Sequence, residues 1–278
     1  STWSIALNDK PGDGIYTTIF GYGYAKYLYE NKYLKQECIQ YVARDESAKI
    51  SIIKLRNISQ NKLNVKVKYD VDFQLGEKED DADFIVHKYK KQINMIIIQN
   101  MKNPDNIAYI ACNNPIDTNG QSEVILREGE ERTIVYVLGC EKNEMDVMST
   151  AAKFTTNYDT EFIRLKEKWE DIVSKVTSQT PMESFNIMNN GWLVYQTIAS
   201  RIYARTGFYQ SSGGYGFRDQ LQDCIGMKFV DPQFLKDQIL LCASKQFEQG
   251  DVLHWWHEDS KLGIRTRFSD DMLWLVYA

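Results

Sequence analysis

Apolar positions recur with a period of two through the first half of this chain and with a period of three to four through the second. Short β-branched or aromatic stretches at Glu37–Arg44, Ala48–Ile58, Leu63–Leu75, Asp83–Tyr89, Ile93–Asn100, Ile107–Cys112, Ser122–Leu126 and Thr133–Leu138 alternate with polar separators holding Asn, Asp and Gly. In LNVKVKYDVDF, Leu63, Val65, Val67, Tyr69, Val71 and Phe73 alternate with polar neighbours, so one face of the segment is apolar. About eight strands at this spacing predict an antiparallel β-sandwich over residues 1–145. Beyond Glu141 the period lengthens. Phe162, Leu165, Trp169 and Ile172 fall at helical spacing within Asp159–Val173, and a helical linker is expected over residues 146–180.

The remaining segment, residues 181–278, reads as helices joined by unusual loops. A helix is expected to begin near Pro181 with Thr180 as cap and to be buried, since it is apolar on more than one side. Further helices are expected from Arg218 to Phe229, from Pro232 to Phe247 with Asp231 as cap, and from Asp270 onward with Ser269 as cap.

Charge and cysteine usage narrow the partners. Lys and Arg number 33 against 38 Asp and Glu, a net charge of -5, which leaves no electrostatic footprint for nucleic acid or an anionic membrane. The five cysteines, Cys38, Cys112, Cys140, Cys224 and Cys242, are widely spaced with no CxxC pair and read as buried free thiols. Neither a leader nor a membrane span is evident, so a cytoplasmic location is expected.

Three loop segments carry candidate chemistry. FYQSSGGYGFRDQLQD (208–223) sets glycines between aromatics and then delivers Arg218 and Asp219 at a helix start. Aromatic faces pack on pyranose rings and Arg and Asp complement hydroxyls, so the loop suits sugar recognition; a glycine-rich connection with a local ion pair fits equally. EQGDVLHWWHEDSKLGIRTRFSDD holds His254, Trp255, Trp256 and His257. Nearby acids make a metal site a minor alternative to a carbohydrate-facing loop. Asp270 and Asp271 are paired carboxylates that also suit the first turn of a helix.

YQSSGGYGFRDQLQD, DPQFLKDQILLCASKQFEQGDVLHWWH and GIRTRFSDDMLWLVYA together resemble glycoside hydrolase family ninety-four, whose sandwich domain is similar to GDGIYTTIFGYGYAKYLYENKYLKQECIQYVARDES. The wording is nearest to β-1,2-oligoglucan phosphorylases and to the phosphorylase module of cyclic β-1,2-glucan synthases. The resemblance implies a β-sandwich, a helical linker and the first helices of an (α/α)6 barrel. It implies inverting phosphorolysis, in which phosphate attacks the anomeric carbon while a carboxylic acid protonates the departing oxygen, giving α-glucose 1-phosphate with no cofactor beyond phosphate as co-substrate.

By match to the motif, Arg218 and Asp219 would hold glucose at subsite -1, and Arg205 would contact phosphate. Gln222 and Asp223 would orient Arg218 and the helix start, and Tyr209, Gln210, Trp255, Trp256 and Asp271 would line the sugar site. The family's general acid is expected beyond residue 278, so both ends look like cuts in a longer polypeptide. The chain alone is then expected to be inactive and to require the missing segment, with a homodimer usual for the family. A non-catalytic carbohydrate-binding fragment and, more weakly, a hydrolase remain alternatives.

Overall fold

The computed structural model describes residues 2–7, 10–73, 75, 79–204, 213–258 and 262–278. The chain divides into two compact units, Ser1–Lys166 and Glu167–Ala278.

Among the described residues the first unit has ten strands: β1 (Ile15–Gly21), β2 (Tyr24–Glu30), β3 (Leu34–Val42), β4 (Ala48–Asn57), β5 (Leu63–Lys68), β6 (Ile85–Lys90), β7 (Met95–Asn100), β8 (Asn103–Cys112), β9 (Gln121–Leu126) and β10 (Glu131–Glu141). Eight of them form one antiparallel sheet in the order β1-β2-β3-β4-β10-β8-β7-β6, and β5 pairs with β9 as a separate ribbon. Alternation sets the layers. Leu34, Cys38, Ile53, Leu55, Ile96, Ile98, Ile134 and Tyr136 point from the sheet toward Val67, Val124 and Leu126 of the ribbon and form one core with them. The Tyr136 ring stacks on Tyr69, and its hydroxyl lies 3.0 Å from the Val67 carbonyl and 2.9 Å from that of Gly120, tying the layers together.

The opposite face carries Ile39, Tyr41, Ile50 and Ile52, all buried. α1 (Glu144–Thr156) packs on β8 and β10 through its buried Val147, Ala151 and Phe154. Asn143 caps it by accepting from the Asp146 amide at 2.9 Å. At the start of α2 (Tyr158–Val173), Phe162 lies edge-on to Tyr24 and against Tyr41, whose hydroxyl donates to the Tyr158 carbonyl at 2.6 Å.

All eight sequence-predicted strands are present; β1 and β2 add two more, joined by a turn in which Gly23 takes a φ of 80°. The ladder of β5 stops at Lys68, short of the predicted Leu75, yet Tyr69, Val71, Phe73 and Leu75 still pack against the same core. Apolar alternation there reports burial rather than pairing. On β10, a Cβ at Gly139 would lie 2.4 Å from the hydroxyl oxygen and 2.5 Å from the ring of the fully buried Tyr109. Gly139→Ala is therefore expected to cost ~1–3 kcal/mol, the range for overpacking, read as a lowered denaturation midpoint. An unchanged midpoint would mean that the Tyr109 ring has room to retreat.

The second unit contains α3 (Glu183–Ile187), α4 (Leu193–Gln196), β11 (Tyr215–Gly216), α5 (Phe217–Cys224), α6 (Pro232–Ala243), β12 (Leu253–Trp256), β13 (Gly263–Arg265) and α7 (Asp271–Tyr277). Wider helical turns at Met188–Trp192 and Thr197–Tyr203 extend α3 and α4 into one irregular helical run, kinked at Gly191. This run departs from expectation in two ways. Thr180 does not cap it; its amide donates to Asn186 Oδ1 at 2.9 Å, and the Asn186 amide donates back to the Thr180 carbonyl at 2.8 Å. Burial is also partial, for Ile198 and Ile202 are buried whereas Phe185, Ile187, Met188 and Leu193 are exposed. Asp231 does cap α6, accepting from the Phe234 amide at 3.0 Å, but α6 ends at Ala243 rather than Phe247. Asp270, not Ser269, is the cap position of α7, without a side-chain cap bond.

All five cysteines are free thiols, four of them buried. Burial pushes Cys38, Cys112 and Cys242 up to about 12, so these thiols are poor nucleophiles. Among the described residues no helix is long and apolar enough to cross a membrane.

Candidate active site

The second unit brings its chemistry together around the start of α5. β11 immediately precedes α5 and pairs antiparallel with β12, setting Tyr215 opposite Trp256 and Gly216 opposite Trp255. The rings of Tyr215 and Trp256 stack at 5.2 Å with 7° between planes. Trp256 is 2% exposed and joins Phe217, Leu221, Cys242 and Val252 in a small core. Its indole N–H donates to Glu258 at 2.8 Å, and Lys245 lies 2.8 Å from the same oxygen. The first three residues of HWWH thus lie in a strand, β12, and its burial on one side holds the first turn of α5 in place.

That first turn carries Arg218 and Asp219. Arg218 Nη1 donates to Asp270 Oδ2 at 3.1 Å, and its Nε is 3.7 Å from Asp219. Both side chains remain more than a third exposed, so they stand at a surface open to a ligand. Gly216 is small for a reason: a Cβ there would sit 2.9 Å from Asp219 Oδ2. The bond from Arg218 holds the Asp270 carboxyl below its ordinary range. A carboxylate depressed in the folded state adds stability above its unfolded value, and that contribution is lost as pH falls through the folded value. The Asp270 carboxyl resonance is accordingly expected to titrate below the ordinary 3.8 and to return toward it in Arg218→Ala; an unmoved midpoint would mean the pair does not persist in solution.

Asp223 sits elsewhere. Arg201 Nε donates to Asp223 Oδ2 at 2.7 Å, so Asp223 secures the Thr197–Tyr203 turn and not Arg218, which corrects the expectation that it supports that guanidinium. Half-buried, its carboxyl is pushed up by desolvation in spite of Arg201. A buried amide relay runs alongside, Gln238 Nε2 donating to Gln220 Oε1 at 2.9 Å and Gln220 Nε2 to the Arg201 carbonyl at 3.0 Å. Gln222 faces solvent on α5.

Two expected sugar contacts need correction because burial removes them from reach. Trp256 is a core residue, and Asp271, 2% exposed, accepts or shares a hydrogen bond with His254 Nδ1 at 2.8 Å. Trp255, half-buried and edge-on to His257, remains available. His254 stacks on Phe268 at 4.5 Å. Among the described residues no group of three or more metal-ligating side chains occurs. Arg205, Tyr209 and Gln210 lie outside the described residues. Sequence reasoning missed Asp270 as the partner of Arg218 and His254 as the partner of Asp271, since both pairs join segments far apart in the chain and no local spacing announces them.

Known families place this arrangement. Residues 168–278 match the Glycosyl hydrolase 94 superfamily, catalytic domain, and residues 1–122 match the Glycosyl hydrolase 94, supersandwich domain. The chain belongs to this family. Its fold is accordingly the family's β-sandwich followed by helices of its catalytic domain, and the Arg218–Asp219 turn, the HWWH strand and the Asp270–Asp271 pair all fall inside the catalytic-domain match. The cyclic beta-(1,2)-glucan synthase NdvB of Rhizobium meliloti (strain 1021) is 28% identical over an alignment that covers 95% of this chain and 11% of that protein. An N,N'-diacetylchitobiose phosphorylase of Vibrio furnissii is 23% identical, covering 75% of this chain and 30% of that protein. A 3-O-beta-D-glucopyranosyl-beta-D-glucuronide phosphorylase of Paenibacillus borealis is 25% identical over 56% of this chain and 20% of its own length. The chain therefore spans less than a third of each of these relatives. A putative kojibiose phosphorylase from human microbiome shares the fold with a TM-score of 0.50 at 10% identity, over 83% of this chain and 36% of that one.

Proposed function

We propose that this chain supplies part of the sugar and phosphate sites of an inverting glycoside phosphorylase that cleaves a β-linked glucooligosaccharide to α-glucose 1-phosphate. The observation that carries the reading is the exposed Arg218–Asp219 turn, held between Asp270 and the strand bearing Trp255, within the family's catalytic-domain match. A guanidinium offers donors only and a carboxylate acceptors only, so together they complement hydroxyls that do both. Trp255 supplies an aromatic surface for a pyranose ring. Phosphate attacks the anomeric carbon, the glycosidic C–O bond breaks, and a general acid delivers its proton to the departing oxygen. Among the residues of this chain we assign binding roles, with Arg205 assigned to phosphate, and no acid. The relatives named as phosphorylases support the reaction class.

The breadth of the match to the glucan synthase supports a second reading, in which the chain is the phosphorylase-like module of such a synthase and the linkage is β-1,2. Calorimetric titration of the 278-residue chain with sophorose and with cellobiose tests both. Saturable heat with either sugar, lost in Arg218→Lys because one ammonium cannot replace a planar fork, is expected. Preference for sophorose favours the β-1,2 reading, and absence of binding to both sugars contradicts the assignment.

A further inference from the structure

Resting on the sugar-site reading above, we propose that Asp271 is a positioning residue that fixes His254 as a hydrogen-bond acceptor for a sugar hydroxyl beside Arg218. Asp271 is buried, and its Oδ2 lies 2.8 Å from His254 Nδ1. An ionised carboxylate can only accept, so the proton of a neutral imidazole sits on Nδ1 and Nε2 keeps its lone pair. Among the described residues no protein group bonds Nε2, and a third of the side chain is exposed. Phe268, stacked on the ring at 4.5 Å, restricts its rotation.

The neighbouring acid does the complementary task. Asp270 holds Arg218 at 3.1 Å, so consecutive residues at the start of α7 hold a donor-only guanidinium and an imidazole whose Nε2 is left to accept. α5 packs on both α7 and β12, which keeps the two anchored groups on one local framework. Such a pair matches a vicinal diol: one hydroxyl oxygen accepts from Arg218 while the next hydroxyl donates its proton to His254 Nε2. The ligand class is a polyhydroxylated ring with adjacent free hydroxyls.

The test combines a spectroscopic and a binding arm on the 15N-labelled 278-residue chain. Long-range 1H–15N correlation, with His254 assigned through His254→Gln, is expected to show a protonated Nδ1 and a bare Nε2, with that preference lost in Asp271→Asn. A protonated Nε2 in the wild-type chain at neutral pH would overturn the proposal. In titrations with sophorose and methyl β-glucoside, His254→Phe keeps a ring against Phe268 but no acceptor, and is expected to weaken binding about 3- to 10-fold, whereas His254→Gln, whose carbonyl can accept, recovers part of it. Equal binding by wild type and His254→Phe, with binding still lost in Asp219→Ala, would overturn this inference and leave the sugar-site reading standing. No binding by the wild-type chain would overturn both.

Discussion

Trp256→Ala is expected to cost ~3–5 kcal/mol of folding stability, the range for removing a large buried aromatic side chain. The indole is 2% exposed, stacks on Tyr215 and lies in a core with Phe217, Leu221, Cys242 and Val252. Its removal leaves a cavity under the first turn of α5 and strands Glu258 beside Lys245 without its indole donor. Chemical denaturation followed by tryptophan fluorescence and by circular dichroism should show the second unit losing structure at lower denaturant than in the wild type. Trp256→Phe should retain much of the loss-prone packing, because a smaller ring can still face Tyr215. A midpoint for Trp256→Ala close to wild type would show that this core contributes little, and that β12 is held by something other than its indole.

The second large effect falls on binding rather than folding. Asp219→Ala is expected to weaken glucoside binding by ~1.5–3 kcal/mol, roughly 10- to 150-fold, the range for hydrogen bonds to a charged group. Its side chain is 39% exposed, and its ion-pair contact with Arg218 is loose at 3.7 Å, so removing it disturbs little of the fold. Unaltered affinity with intact structure would take Asp219 out of the sugar site, and a parallel loss of stability would mark it as a structural residue.

How much of this was legible in the sequence varies by element. The strands of the first unit were, because period-two alternation in a half-buried sheet writes itself directly into residue type, as in Ile53 and Leu55 facing one way and Ile50 and Ile52 the other. β1 and β2 were not: β1 is an exposed edge strand, Ile15 being 77% exposed, so burial imposes little alternation on it. The cap of α6 was legible because Asp231 precedes Pro232, a local signal. The HWWH segment was visible as unusual chemistry but not as a strand, since β12 is four residues long and its partner β11 only two. The pairings that define the site, Arg218 with Asp270, His254 with Asp271 and Arg201 with Asp223, join residues 52, 17 and 22 positions apart. Only folding brings them together, so composition flagged the residues while the partners stayed hidden. The same limit let Asp271 and Trp256 read as ligand contacts when packing buries both.

Sugar binding at the Arg218–Asp219 turn beside Trp255 is tested most directly by following the indole and arginine Nε resonances of the 15N-labelled chain during titration with sophorose. Saturable shifts at Trp255 and Arg218 that vanish in Asp219→Ala are expected, with Trp3 of the sandwich unit unmoved. Saturable shifts confined to Trp3, or shifts at Trp255 that persist undiminished in Asp219→Ala, would contradict binding at this turn.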